Sequence, residues 1–246
     1  MRTLAKLIWI ELKLFAREPI TLIFTFALPF MFLFVMGEVF GNTPDPAGFR
    51  GVGAINYYVP AYIGLVLAAI GLISLPVHLV SYREQGVLRR LRASSVSVWS
   101  VLGSQVIITF VIAVLCTVLL LIAASLAYDV GLPKSAVLLA AAFVLSTLSF
   151  AAVGVLLGAV LPTARAAQGV GLLLFFVMMM LSGTAAPPEV ITGMLQRVAD
   201  VMPLTHVVTL LQDSWLGFGW NTTASLIVSG FMVLAALVSV RAFRWE

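Results

Sequence analysis

Long apolar runs separated by short polar segments dominate the pattern of this chain. A run of about 18 or more apolar residues can cross the hydrocarbon core of a bilayer as a helix. The pattern predicts six such spans, and it therefore predicts an all-α integral membrane protein with six transmembrane helices. The predicted spans lie near residues 20–40, 58–81, 99–128, 135–160, 169–186 and 222–242.

Composition agrees with this pattern. The chain has 246 residues, of which 62% are hydrophobic and only 10% are charged. An ordinary soluble domain is about 45–50% apolar and about 25% charged. The excess of apolar residues leaves almost no soluble part in which to do chemistry. Cys116, the single cysteine, lies inside an apolar run, and we expect it to be a packing residue rather than part of a disulfide or a metal site.

The first nineteen residues predict an amphipathic helix that lies on the membrane surface and ends at Pro19. Its basic stripe lies opposite an apolar face, as suits an anionic cytoplasmic leaflet. Charges are spread along this segment, so it contains no compact apolar core and we expect no cleavable signal peptide. Its charged residues include Lys6, Glu11, Lys13, Arg17 and Glu18.

The basic residues predict the orientation. With the N-terminus inside, only Arg50, Lys134 and Arg197 of the 14 lysines and arginines fall on the outer side. An excess of basic residues marks the cytoplasmic side of a membrane protein. We therefore expect both termini to be cytoplasmic.

The predicted inner loop at residues 82–97 is the first segment with a candidate function. As a helix, it would place Glu84, Leu88 and Leu91 on one face, with arginines around the rest. A groove in a cytoplasmic partner could hold this apolar strip with its single carboxylate. The alternative is a charged loop that only anchors the topology. The candidate docking residues are Arg83, Glu84, Gly86, Leu88, Arg89, Arg90, Leu91 and Arg92.

The predicted outer segment at residues 187–219 is the second segment with a candidate function. It is long but not hydrophilic, and Leu204 to Leu216 forms a helical pattern too apolar to lie in water. Span five before it is short. These features predict a span that stops early and is followed by helices that dip back into the outer leaflet. The alternative is an ordinary amphipathic surface helix.

Several catalytic and transport motifs are absent from the sequence. No Gly-x-x-x-x-Gly-Lys-Ser/Thr occurs, so this chain carries no P-loop ATPase, and neither His-Glu-x-x-His nor Gly-x-Ser-x-Gly occurs. His78 and His206 fall on opposite sides of the predicted membrane, so we expect no metal site. The spans lack ionisable residues near the bilayer centre, which disfavours a gradient-driven secondary carrier. That carrier and a non-transporting membrane assembly protein are the alternative functions.

Over essentially its whole length the sequence resembles an ABC-2 type transporter permease, similar in layout to the permeases of daunorubicin-resistance and polysaccharide exporters. Residues 1–19 resemble the connecting helix of that family. Residues 84–94 (Glu84-x-Gly86-Val-Leu88-Arg-Arg-Leu91-Arg-Ala-Ser94) resemble its coupling-helix motif, and Phe243-Arg-Trp245 fits its end. The outer signature is matched by Ser182, Gly183, Pro188, Leu195, Gln196, Pro203, Leu204, Thr205, His206, Leu210 and Leu211.

Three residues depart from the family pattern. Ser95 occupies a position where the family often has proline, and Arg89 one where an acid is common. Asp213 lies near a position that is often basic. These departures concern the specificity for partners rather than the fold.

The resemblance implies a single transmembrane domain over residues 1–246 that acts as half of a transporter. A second permease subunit, identical or a sibling, would pair with it around the pathway. Separate cytoplasmic ABC ATPase subunits would hold ATP and Mg and dock on its inner loops. The chain itself would then bind no cofactor, catalyse no reaction and bind no nucleic acid.

The family also implies a cargo and a location. The cargo would be a hydrophobic or amphipathic compound, such as a drug, a lipid or a lipid-linked glycan. It would leave the cytoplasm or inner leaflet across a bacterial inner membrane, as in multidrug efflux and antibiotic resistance. Aromatic and Met side chains adapt to varied cargo shapes, and the candidate cargo path contains Phe24, Phe30, Phe34, Phe175 and Met179.

Overall fold

A computed structural model describes residues 19–44, 49–86, 98–185 and 193–242, together with Lys13. Within these ranges every regular element is helical. Two π-helical segments occur, Ile23–Ala27 at the start of the first span and Ile70–Ser74 within the second, and a short 3-10 turn lies at Phe49–Gly51. The α-helices are α1 Pro19–Leu22, α2 Leu28–Phe40, α3 Ala54–Ala69, α4 Leu75–Glu84, α5 Val98–Tyr128, α6 Ala136–Val160, α7 Ala164–Leu181, α8 Met194–Ala199, α9 Pro203–Leu216 and α10 Thr222–Ala242.

In the part of the chain that the structure describes, six helical stretches are long and apolar enough to cross a membrane, which confirms the predicted all-α membrane fold. Short helices α8 and α9 lie between the fifth and sixth spans. The spans, numbered one to six in chain order, are Ile23–Phe40, Ala54–Glu84, Gly103–Tyr128, Ala136–Val160, Ala164–Leu181 and Thr222–Ala242.

Span five begins and ends earlier than the sequence pattern suggested. The Thr163 hydroxyl accepts a hydrogen bond from the amide of Ala166 at 3.1 Å, so Thr163 caps the helix and Arg165 lies in its first turn. At the other end, Gly183 has a φ of +78° and the helix stops at Leu181. Apolar residues continue beyond this point, which is why hydrophobicity alone placed the end near residue 186.

Span two is the centre of the molecule. Nearly every residue of α3 is buried, and the aromatic rings of Tyr58 and Tyr62 stack there at 5.7 Å between ring centroids. Spans one, four and five and helix α9 pack around this span. Spans four and six pack extensively against each other, and the Ser149 hydroxyl donates to the Val228 carbonyl between them at 3.2 Å.

Helix α9 lies inside the bundle beside α3. A side chain at Gly64 of α3 would meet Leu204 and Val208 of α9, and Gln212 Nε2 donates to the Tyr57 carbonyl at 3.1 Å. The helix therefore starts partway along span two and runs out toward the start of that span. This placement agrees with the predicted segment that dips back after a short fifth span.

The bundle has two polar ends. One contains Asn42, Arg50, Tyr128, Asp213 and Asn221, and we name it the Asp213 end. The other contains Arg83, Glu84 and the loop from Leu161 to Thr163, and we name it the Glu84 end. Hydrogen bonds at each end join helices that are distant in sequence, which fixes the direction of all six spans.

Candidate functional site

Arg83, at the Glu84 end, binds the C-terminus of span four. Its Nη1 donates to the carbonyl oxygens of Gly158 and Ala159, each at 3.3 Å, and its Nη2 donates to that of Leu161. These carbonyls belong to the last turn of a helix, where no intrahelical donor is left. A guanidinium group satisfies them and also matches the negative end of the helix dipole.

Glu84 binds the N-terminus of span five. Its Oε1 accepts a hydrogen bond from the backbone amide of Ala164 at 3.2 Å, at the positive end of the helix dipole. The two adjacent residues thus hold two different helix ends, each with the matching charge. The end of span two is joined to the loop between spans four and five, and we name this arrangement the Arg83–Glu84 clamp.

A cleft of about 510 Å³ lies against the clamp. Glu84 and Arg165 supply its charged groups, and Thr163 and Gln168 supply further polar atoms. Because Glu84 is exposed in the described part of the chain, its carboxylate can accept hydrogen bonds from outside as well as from Ala164.

Gly86 follows α4, two residues after Glu84. It has a φ of +67°, and no described residue comes within 4 Å of a methyl group placed there, so the backbone conformation favours glycine. The predicted docking residues Leu88, Arg89, Arg90, Leu91 and Arg92 lie outside the described residues, as do Lys6, Glu11, Arg17 and Glu18 of the connecting helix. Lys13 is helical and exposed.

The candidate cargo-path residues do not share one surface. Phe24 packs edge-on against Phe175 at 5.6 Å between ring centroids, but Phe175 and Met179 are fully enclosed within the bundle. Phe30 is half-buried, and Phe34 is exposed beside Tyr128 at the other end of span one. The structure therefore joins spans one and five through Phe24 and Phe175 and separates Phe34 from them.

The outer-signature residues cap helix ends. The Ser182 and Thr184 hydroxyls both donate to the Met179 carbonyl, at 3.4 and 2.9 Å, where span five stops. Gly183 supplies the positive φ between them, and Pro203 is the first residue of α9. His206 Nε2 lies 2.7 Å from the Asp200 carbonyl oxygen. Pro188 lies outside the described residues.

Sequence reasoning missed the polar cluster at the Asp213 end. Arg50 Nη1 lies 2.6 Å from Asp213 Oδ1, and Asn221 Nδ2 donates to Asp213 Oδ2 at 2.7 Å. The Arg50 guanidinium also lies over the Phe218 ring, 5.6 Å from its centroid. A carboxylate within a largely buried helix needs a partner, and that requirement was the available signal.

A second part of this cluster was also missed. Asn42 Oδ1 accepts hydrogen bonds from the backbone amide and the side-chain amide of Asn56, both at 3.1 Å. Asn42 Nδ2 donates to the Tyr128 carbonyl at 3.0 Å, and Tyr128 Oη donates to the Phe34 carbonyl at 3.1 Å. Spans one, two and three are joined at this end through one asparagine.

This fold is that of a membrane protein with several spans, held at each end by polar contacts. In the described ranges no three His, Cys, Asp or Glu side chains are grouped so as to hold a metal ion. The model of the ABC-2 type transporter family matches residues 3–216. The chain therefore belongs to the ABC-2 type transporter family and is a permease, a transport subunit rather than a catalytic one. No curated protein and no solved structure matches it.

Proposed function

We propose that the chain is the membrane-spanning half of an ATP-driven exporter in a bacterial inner membrane, with both termini in the cytoplasm. It moves a hydrophobic or amphipathic compound, such as a drug, a lipid or a lipid-linked glycan, out of the cytoplasm or inner leaflet. A second permease subunit pairs with it, and cytoplasmic ABC ATPase subunits bind and hydrolyse ATP with Mg. Multidrug efflux and antibiotic resistance are the corresponding cellular roles.

The Arg83–Glu84 clamp is the observation that carries this proposal. The segment at residues 82–97, which we propose as the ATPase coupling helix, contains both clamp residues near its start, where span two ends. A displacement of that segment acts first on the end of span two, and the clamp passes it to the ends of spans four and five. One docking point therefore acts on three spans.

ATP-driven closure of the ATPases would bias the permease between two conformations, one open inward and one open outward. The connecting helix at residues 1–19 would be a second contact, through Lys6, Glu11, Lys13, Arg17 and Glu18. Phe24 and Phe175 join spans one and five, so they are the candidate cargo-path residues on which such a change would act together.

Copurification tests the docking. The tagged full chain is expressed in its own host, extracted in mild detergent and isolated, and the eluate is assayed for ATP hydrolysis and for a protein with a P-loop. Replacing Leu88 and Leu91 by alanine should remove the ATPase from the eluate. Asp200→Asn, which changes an exposed carboxylate away from the Glu84 end, is the matched control and should retain it.

Glu84→Ala tests the clamp separately from docking. The variant should retain the ATPase but lose the coupling between hydrolysis and transport, because span five is no longer held through Ala164. Loss of the ATPase from the Asp200→Asn control, or its retention by the Leu88/Leu91 variant at wild-type level, would contradict docking at residues 82–97. Absence of any ATPase from the wild-type eluate would argue against the exporter itself.

A further inference from the structure

Spans one and two contain the same local interruption. The π-helical segment Ile23–Ala27 is followed by leucine and Pro29, and Ile70–Ser74 is followed by leucine and Pro76. Both stretches read Ile-x-x-x-x-Leu-Pro in the sequence. Short π-helical insertions of this kind occur frequently at functional sites.

The interruption in span two leaves two carbonyl groups without their helical donors. The amide of Leu75 donates to the Ile70 carbonyl, so it is not available to Gly71. Pro76 has no amide hydrogen. The Gly71 carbonyl therefore loses both its α-type and its π-type donor, and the Leu72 carbonyl loses its α-type donor. Inside a membrane, neighbouring helices must compensate for such a loss.

Glycines of two other spans lie against these carbonyl groups. A methyl group at Gly154 of span four would overlap the Gly71 carbonyl oxygen, and one at Gly171 of span five would overlap that of Leu72. The Cα of each glycine can approach a carbonyl oxygen closely enough for a weak C–H···O contact. Any side chain at either position would separate the spans.

The two halves of span two are attached to different neighbours. On the C-terminal side of the interruption, the Arg83–Glu84 clamp joins α4 to the loop between spans four and five. On its N-terminal side, α3 packs along α9 and accepts a hydrogen bond from Gln212. The glycine contacts lie between these two attachments. A change in the angle between α3 and α4 at this point would leave both attachments intact.

We propose that span two pivots at Ile70–Ser74, and that Gly154 and Gly171 are positioning residues that hold the freed carbonyl groups of this pivot. Helix α4 has 10 residues and is thus about 15 Å long. A tilt of about 20°, the size of a sharp helix kink, would move its far end by about 5 Å. The pivot is a property of the chain itself, and only its use in transport rests on the proposed function.

Distances between spin labels on the full chain in lipid nanodiscs test the pivot. Cys116 is replaced by alanine, and labels are attached at Gln85→Cys beyond α4 and at Gly103→Cys in span three, both exposed positions. The parent should give a distance distribution with a spread of about 5 Å, as the α4 tilt implies. Pro76→Ala restores an amide donor and should reduce the distribution to one narrow peak.

Glycine variants separate positioning from general damage. Gly171→Ala should shift the mean Gln85–Gly103 distance, because its methyl group displaces the Leu72 carbonyl. Gly169→Ala is the matched control in the same helix, with open space around it, and should reproduce the parent distribution. A label pair at Thr43 and Leu132, at the Asp213 end, should stay narrow in every variant.

A parent distribution as narrow as that of Pro76→Ala would overturn the pivot, as would a Gly171→Ala variant that melts earlier yet keeps the parent distances. If Gly171→Ala does not fold, the comparison between parent and Pro76→Ala decides alone. These distances need no ATPase, so failure of ATPase copurification would overturn the exporter and leave this result unchanged.

Discussion

The two ends of the bundle are held together in different ways. At the Asp213 end, side chains bond to side chains: Asp213 is paired with Arg50 and Asn221, and Asn42 with Asn56. At the Glu84 end, Arg83 and Glu84 bond, among the described residues, to backbone groups at helix termini. A network in which each side chain has several side-chain partners fixes its members in one arrangement. At the Glu84 end each contact is made by one side chain to a helix terminus, so it can follow the helices as they move.

This difference assigns a role to each end. The Asp213 end holds spans one, two, three and six and α9 in register. The Glu84 end, where we place the ATPase, joins span two to spans four and five through one pair of residues. Substitutions at the two ends test this contrast, and their expected effects on stability decrease in the order Asp213→Ala, Asn42→Ala, Arg83→Gln and Glu84→Gln.

Asp213→Ala should be the most destabilising change at either end. It leaves Arg50 and Asn221 without their carboxylate, and loss of a largely buried charged partner costs about 2–4 kcal/mol. The free energy of unfolding of the purified chain, measured by steric trapping in bilayer discs, should fall by that amount. Arg50→Met/Asp213→Leu, an apolar pair, should recover part of it. Equal losses of unfolding free energy for Asp213→Ala and Asp200→Ala would contradict the role of the Asp213 network in stability.

Asn42→Ala should be the next most destabilising change. It should lower the free energy of unfolding by about 1–3 kcal/mol, since it leaves the Asn56 amide and the Tyr128 carbonyl without partners. The same unfolding measurement applies. Asn221→Ala is a useful comparison because its side-chain oxygen also accepts a backbone bond, from Ala224 at 2.9 Å. An Asn42→Ala variant with wild-type stability would remove this residue from the network.

Arg83→Gln should lower the free energy of unfolding by less, about 1 kcal/mol. The span-four carbonyl groups that lose the guanidinium lie near the polar end of the bundle and can bind water instead. Its more informative readout is hydrogen exchange at the residues near 158–161, which should speed up while exchange near Asn56 stays unchanged. Faster exchange at both ends would show that the ends are not independent. Arg165→Gln, in the same cleft, is the matched control.

Glu84→Gln should have the smallest effect on stability, under about 0.5 kcal/mol, because the amide oxygen can still accept the Ala164 bond and the site is exposed. Coupling in the copurified complex should nevertheless fall if the ATPase also uses the negative charge. Unchanged coupling with Gln and lost coupling with Ala would assign Glu84 to the helix end alone.

The sequence was sufficient for the features that depend on local hydrophobicity. Spans one, three, four and six came close to their predicted limits, and Leu204 to Leu216 was identified as too apolar for water. Span five was misplaced because its limits depend on a capping threonine and on Gly183, not on hydrophobicity. Thr163 after Pro162 was a readable signal for its start.

Long-range pairing was beyond the sequence. Arg50 and Asp213 are 163 positions apart, and only the fold shows that the turn before span two reaches the end of α9. For the same reason the pattern at residues 82–97 drew attention to Glu84 but not to Ala164, its backbone partner. The prolines in spans one and two were visible, whereas the glycines that receive the freed carbonyls lie in other spans.

Site-specific photo-crosslinking tests most directly the claim that the ATPase docks at the Glu84 end. A benzophenone amino acid is placed at Gln85, or at Leu132, which is 92% exposed at the opposite end, and cells of the native host are irradiated. We expect Gln85 to capture a P-loop ATPase, identified by mass spectrometry, and Leu132 to capture none. Capture of the ATPase from Leu132 instead would contradict it.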